Sequence, residues 1–546
     1  MPLLWERLDG LSWILPLLPS LDNIKQGKGS NNSLTESDFV RFNIYAPWIK
    51  HIKVYEGHGC PLKESQLDAL CIYSANRTLL PNISSLTLAD VGEFTDISWA
   101  ILFMSPSLRN LEFETNGPFE TFRSLNVSEW PILLHHLAEK CPKLQTLSAF
   151  PRHFKNSLDP RVGLHISNDI KAKINSQREL GLGPFFANLC PLVSLTSSGE
   201  ILDDACFSAI GTWPALESLT IRMNPKIRDC TIPTLDNTAF PALTGLTLHW
   251  IPNFNVFRMF WDTPALVSKL TTVKLLPSIE LSYYTNEEIS DTVSQILSML
   301  AEKSPRLENI WLRMLHPDAG RPYNEIPRSI LDVLHKLPLR SIHLDGVVLL
   351  DPETSGPKET HKNLDLVTYF AKMFPDLKQL GFPLHPVHLS ILRDFHSKFP
   401  QLESLCFDFD LSALSVDLKV DTANIPRYRS SPFFMLEANF LGISDESFVP
   451  SIKRFSYEDA MLFVTYVFSL WPDTQIAAQM EEVDCDGDRT VHHNMIELIN
   501  VHLANLSWWN CDASVEYKDV KVLNEESWAR CKVNNRGSQD GDSDSE

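Results

Sequence analysis

Along this chain proline is followed again and again by one alternation, Pro-x-apolar-x-x-apolar-x-apolar. From Pro214 the apolar positions are Leu216, Leu219 and Ile221; from Pro305 they are Leu307, Ile310 and Leu312. The same spacing starts at Pro47, Pro81, Pro106, Pro142, Pro241, Pro375, Pro400 and Pro450, with looser copies at Pro191, Pro264 and Pro338. Its second half alternates apolar and polar residues, which predicts a short strand with one buried face.

The segments leading into these prolines have a different period. In 132–141, 292–304, 330–337, 366–374 and 389–399, apolar residues recur three and four positions apart. That spacing predicts helices burying one side. Thr285 and Glu288 form a capping box opening one of them. Proline then ends each helix and pushes the preceding residue into extended conformation.

A unit of one helix and one strand cannot bury both apolar faces alone. Stacked side by side, such units pair their strands in parallel and set the helices outside. The predicted fold class is therefore α/β, an irregular leucine-rich-repeat solenoid or horseshoe, with a parallel sheet on the concave face and helices on the convex face. The competing reading is an ordinary α/β domain with proline-ended helices. The repeats are expected over 47–472, preceded by a lead and cap at 1–46. A C-terminal cap is expected at 473–533 and a disordered acidic tail at 534–546. Polar stretches at 22–37 and 351–363 read as loops, and 419–432 as a crossing to the last units.

Composition narrows the class. The 546 residues carry 48 Lys and Arg against 68 Asp and Glu, a formal charge of −20. That balance speaks against nucleic-acid or anionic-membrane binding, which need clustered cations. The apolar run at 460–471 is shorter than the ~20 residues of a membrane span. Glu6 and Asp9 precede the apolar run at 11–18, unlike the basic start of a signal peptide. Ten cysteines without a C-x-x-C read as reduced thiols. The expected location is intracellular, cytoplasmic or nuclear.

The N-terminus carries a resemblance. Leu4-Trp-Glu-Arg-Leu-Asp-Gly-Leu, then Leu15-Pro-Leu-Leu-Pro, then Asp38-Phe-Val-Arg-Phe-Asn-Ile-Tyr-Ala are followed by the repeats. In that order these segments resemble the variable region of fungal F-box proteins, across roughly residues 3–472. The resemblance implies a leucine-rich-repeat substrate receptor of an SCF-type ubiquitin ligase, with a Skp-type adaptor and a protein substrate as partners. The F-box that binds the adaptor would precede Trp5, where this sequence has four residues. The expectation for this chain is a solenoid that does not hold the adaptor stably, its segment 1–18 sealing the first repeat through Trp5, Leu8, Leu11 and Leu15.

Motifs for chemistry are sparse. The sequence has no phosphate loop, G-x-S-x-G or H-E-x-x-H, and Gly181-Leu-Gly183 is only a fragment of a dinucleotide fingerprint. Glu482, Asp484, Asp486 and Gly487 match the start of a calcium loop, but its twelfth position is His493 instead of Glu. His492 and His493 beside Cys485, and the pair His135 and His136, read as surface or partly buried imidazoles. Cys141 and Cys190 stand before the repeat proline, where Trp213, Phe374 and Phe399 stand elsewhere, so packing is their expected role. No catalytic residue, metal ligand or cofactor is assigned. The expected function is protein binding; the alternatives are an enzyme with an unrecognised site and a decoy uncoupled from ubiquitination.

Binding residues follow from the strand period. If leucines face the core, the residues between them face outward. The expected ladder is Glu112 and Glu114, Thr220 and Arg222, Thr247 and His249, Trp311 and Arg313, His343 and Asp345, Cys406 and Asp408, Ser456 and Glu458. Trp311 beside Arg313 has the composition of an interface hot spot.

Overall fold

A computed structural model describes residues 2–18, 34–56, 64–74, 77–90, 97–114, 125–126, 129–152, 182–189, 191–223, 232–277, 286–314, 324–350, 364–410, 434–441, 457–471, 474–478 and 500. The chain divides into two compact units, Met1–Leu270 and Thr271–Glu546.

In the first unit, strands β1 (Arg7–Asp9), β2 (His51–Glu56), β3 (Ser85–Asp90), β4 (Asn110–Phe113), β5 (Thr146–Ser148), β6 (Ser194–Ser198), β7 (Ser218–Arg222) and β8 (Gly245–Ile251) lie in chain order. Every neighbouring pair is parallel. The second unit repeats the plan with β9 (Thr272–Pro277), β10 (Asn309–Arg313), β11 (Ser341–Asp345), β12 (Gln379–His388), β13 (Ser404–Asp410), β14 (Phe434–Leu441) and β15 (Thr474–Ala478). These pairs are parallel too. The protein is an α/β fold built on long runs of parallel strands.

Hydrogen bonding explains the repeat. The N–H two residues after the proline donates to the carbonyl of the residue before it, as in Leu108 to Ser105, Leu144 to Cys141, Leu243 to Phe240, Leu307 to Ser304 and Leu377 to Phe374. Proline thus occupies the second position of a turn, where its fixed φ fits. The turn leads straight into the strand. One carbonyl there accepts two successive amides of the next unit: Ser84 and Ser85 on Lys50, Arg109 and Asn110 on Ser84, Lys378 and Gln379 on Arg340. This double acceptance pins each strand's register to its predecessor.

Register then aligns the core. In the first unit Leu8, Ile52, Leu86, Leu111, Leu147, Leu195, Leu219 and Leu246 form one buried row. In the second, Val273, Ile310, Ile342, Leu380, Leu405 and Leu436 do the same. Fully burying each such side chain stabilises by about 1.5–3 kcal/mol. Helices bury their apolar sides with these rows. In Trp130–Lys140 the buried residues are Trp130, Pro131, Leu133, Leu134, His135, His136 and Leu137.

Several expectations change. The segment 330–337 is a 3-10 helix, Arg328–Lys336, because Leu331, Leu334 and Leu337 are buried at a period of three. Pro264 opens a helical turn, Pro264–Val267, and the strand follows from Leu270, Val273 and Leu275. His135 and His136 are buried, since both fall on the packed side of their helix. Ser456 and Glu458 were expected on a strand after Pro450. Glu458 instead lies in the helix Tyr457–Leu470, whose apolar run buries Phe463, Val464, Val467 and Phe468. Strands without an expected counterpart include β14, legible in the alternation Phe434, Leu436, Ala438, Phe440, and β15, just past residue 472, as well as two short pairs, Leu125–Asn126 with Pro151–Arg152 and Asn324–Pro327 with Val347–Leu350.

The first residues do cover the start of the sheet, but not as one helix. The helix Pro2–Glu6 gives way to β1, and 3-10 turns follow at Leu11–Trp13 and Leu15–Leu17. Leu8, Leu11, Ile14, Leu17 and Leu18 are buried, and Trp5 packs 4.4 Å from Tyr45. Cys141, Trp213, Phe374 and Phe399 are buried, in keeping with packing before the proline. No helix among the described residues is long and apolar enough to cross a membrane. The Pro450 copy, Ser456, Cys190, Thr285 of the capping box, the loops at 22–33 and 351–363, the crossing at 419–432, the calcium-like segment with His492 and His493, and the tail lie outside the described residues.

Candidate protein-binding surface

The residues between the buried rows form half-exposed rows on the other side of each strand. In the first unit one row runs Asp9, Lys53, Thr87, Glu112, Ser148, Thr196, Thr220 and Thr247. Further along the strands stand Tyr55, Ser198, Arg222 and His249. Charges are tied together at the β1 side. Lys53 Nζ lies 2.6 Å from Glu114 Oε2, and the Tyr55 hydroxyl donates to Asp9 Oδ1 at 2.7 Å. The Glu114 carboxylate raises the Lys53 pKa against the opposing effect of burial.

Arg222 spreads its guanidinium over the Phe150 ring, 4.5 Å from the centroid. Burial lowers the Arg222 pKa, while Glu112 opposes that shift across the sheet face. His249 is the register partner of Arg222 on the next strand. The first unit therefore gathers Glu112, Glu114, Arg222 and His249 on one face, as the alternation predicts.

The second unit's row is Lys274, Trp311, His343, Gly381 and Cys406. Trp311 meets His343 edge to face at 5.8 Å, and Lys274 Nζ stands 5.3 Å from the Trp311 centroid. Arg313 Nε lies 3.2 Å from Asp345 Oδ2. Asp345 was expected to be exposed but is 6% exposed, because it turns against Arg313. Cys406 is likewise buried, at 2%, instead of extending the exposed ladder. Asp408 lies on β13, the register partner of Asn439. His343 is held neutral near pH 7: burial lowers its pKa to about 4, helped by the positive charges of Arg313 and Lys274.

One glycine shapes this face, and a second stands just past the end of β11. Gly381 lies on β12 directly beside His343, and a Cβ there would collide with the imidazole Nδ1. Gly346 has φ +80°, and a Cβ there would strike the backbone of Met314. Glycine within a strand marks such a close approach. The space left beside Gly381 is a recess of about 490 Å³ reaching from Ser341 to Met435. Sequence reasoning missed Gly381 as the neighbour of His343 and Lys274 as the charge acting on it, since only the strand register brings them together. The alternation in Thr272–Pro277 held the signal for Lys274.

No family model matches the chain, and comparison with curated proteins gives no match.

Proposed function

We propose that this chain is a protein-binding scaffold, similar to the substrate-recognition part of an F-box protein. In this reading the strands are leucine-rich repeats of a horseshoe solenoid, and the half-exposed rows line its concave face. The observation that supports it best is the run of outward side chains in register along the parallel strands of each unit, which offers a partner a row of contacts. Trp311 with Arg313 is its hot spot, because an aromatic ring and a guanidinium bury much area on binding. A scaffold of this kind works by binding, without a catalytic group or cofactor, in the cytoplasm or nucleus.

The experiment is affinity capture with the full chain and with Trp311→Ala. A protein retained by the parent chain and lost with the variant supports the reading; retention of the same proteins by both overturns it. Recombinant co-expression with a Skp-type adaptor decides the coupling to ubiquitination. Co-purification at near-stoichiometric yield makes the chain a ligase receptor, and its failure makes it a binding protein uncoupled from the ligase.

A further inference from the structure

Three side chains on β9 and β10, those of Lys274, Trp311 and Arg313, donate hydrogen bonds and accept none. The inference drawn from them rests on the scaffold reading above. Lys274 and Trp311 are register partners on these neighbouring strands. Lys274 is exposed and Trp311 half-buried. The ammonium lies 5.3 Å from the indole centroid, so the two make one contact patch.

The commitments of these donors differ. Arg313 is matched by the Asp345 carboxylate. Among the described residues Lys274 has no carboxylate partner, and neither its ammonium nor the Trp311 indole N–H donates a hydrogen bond. Lys274 is therefore the open charge of the group. His343 on β11 reports the same sign. Burial lowers its pKa, and the charges of Arg313 and Lys274 lower it further. Positive charge thus reaches the imidazole despite the Asp345 carboxylate.

A donor-only patch is completed by an acceptor-only ligand, and among side chains the ionised carboxylate has that character. It also supplies the missing countercharge. A polyanion such as nucleic acid suits the patch less. Binding one takes clustered cations, and the formal charge of −20 on the whole chain repels it.

We propose that the patch on β9 and β10 takes the carboxylate of an aspartate or glutamate on the partner protein. Lys274 supplies the countercharge, and the Trp311 indole packs against the methylene carbons of the acidic side chain.

Ligand-observed NMR titration of the full chain is the test. The probes are acetyl-Leu-Glu-Leu-amide, the same peptide with Gln or Lys in the middle, and a short oligothymidylate. The glutamate peptide should bind about fivefold tighter than the glutamine peptide, the scale of an exposed ion pair, with the lysine peptide weakest. That preference should shrink as salt is raised. Lys274→Gln should bring the glutamate peptide to the level of the glutamine peptide, and Lys274→Arg should keep the difference. Lys274 is exposed, so both variants should retain the fold, checked by circular dichroism. Equal binding of the two peptides, a preference unchanged by Lys274→Gln, or no binding of the glutamate peptide overturns the proposal. Oligothymidylate bound tighter than the glutamate peptide, and lost with Lys274→Gln, overturns it in favour of nucleic acid. Should the peptide preference fail while Trp311→Ala still loses a captured protein, the carboxylate assignment falls and the scaffold stands. A preference abolished by Lys274→Gln, with no protein lost in Trp311→Ala, would instead retain the carboxylate site and remove the scaffold reading.

Discussion

On the first unit the outward row between β3 and β8 is Thr87, Glu112, Ser148, Thr196, Thr220 and Thr247, mostly short hydroxyl side chains at one height above the sheet. On the second the corresponding row is Lys274, Trp311, His343, Gly381 and Cys406, large next to small, with a recess beside the glycine. Most strands of both rows follow the same proline turn, whereas β9 follows the helical turn Pro264–Val267. The backbone plan fixes the buried rows and leaves the outward rows free to vary. The second unit uses that freedom for shape and aromatic surface, the first for a level polar face.

The sharpest way to break the contrast is through glycine. Gly346→Ala should cost about 3 kcal/mol or more, combining left-handed strain with a backbone clash, measured by urea denaturation of the full chain. Gly245 in the first unit meets nothing closer than 3.7 Å, so Gly245→Ala there should change stability by less than about 1 kcal/mol. Equal effects at the two sites would mean that the close approach of Gly346 to Met314 does not require glycine.

Acid should act through buried imidazoles. Burial lowers the His136 pKa to about 4, with Lys140 and His135 adding to the shift, and His343 behaves alike. Both are neutral in the folded chain, whereas the unfolded chain takes up protons below about pH 6.5. The stability contributed by these two imidazoles is therefore full above pH 6.5, is lost between pH 6.5 and 4, and changes no further below. For His136 the loss is about 3 kcal/mol, and His136→Phe should flatten that part of the pH curve.

Next in size is binding. Trp311→Ala should weaken a captured partner by about 2 kcal/mol, and Thr220→Ala by less than about 0.5 kcal/mol, read by titration calorimetry. A larger loss at Thr220 would move the binding surface to the first unit. The smallest effect belongs to Thr196→Val, a half-exposed strand position whose stability change should stay within about 0.5 kcal/mol.

Much of the fold was legible because its causes are local. Nine of the spaced prolines, from Pro47 to Pro400, lie among described residues, and each leads into a strand of the long parallel runs. The turn needs only a proline and the following apolar spacing. Glu458 shows the limit: a spacing of the same kind lost to the stronger apolar run of the helix Tyr457–Leu470. The N-terminal lead shows another. Trp5, Leu8, Leu11 and Leu15 have helical spacing, but Gly10 at φ +97° breaks the helix, and Leu8 gains more by pairing with Ile52.

The repeat, the parallel α/β plan and the buried leucine rows were written in the chain's local spacing. Each depends on neighbours a few positions apart in the chain. Tertiary packing decided that Asp345 closes on Arg313, that Lys274 lies over Trp311, and that His343 leans across Gly381. Those contacts join residues on separate strands, and strand register is set by the double hydrogen bonds between successive strands. A one-residue change in that register would leave the sequence pattern intact and exchange every outward neighbour.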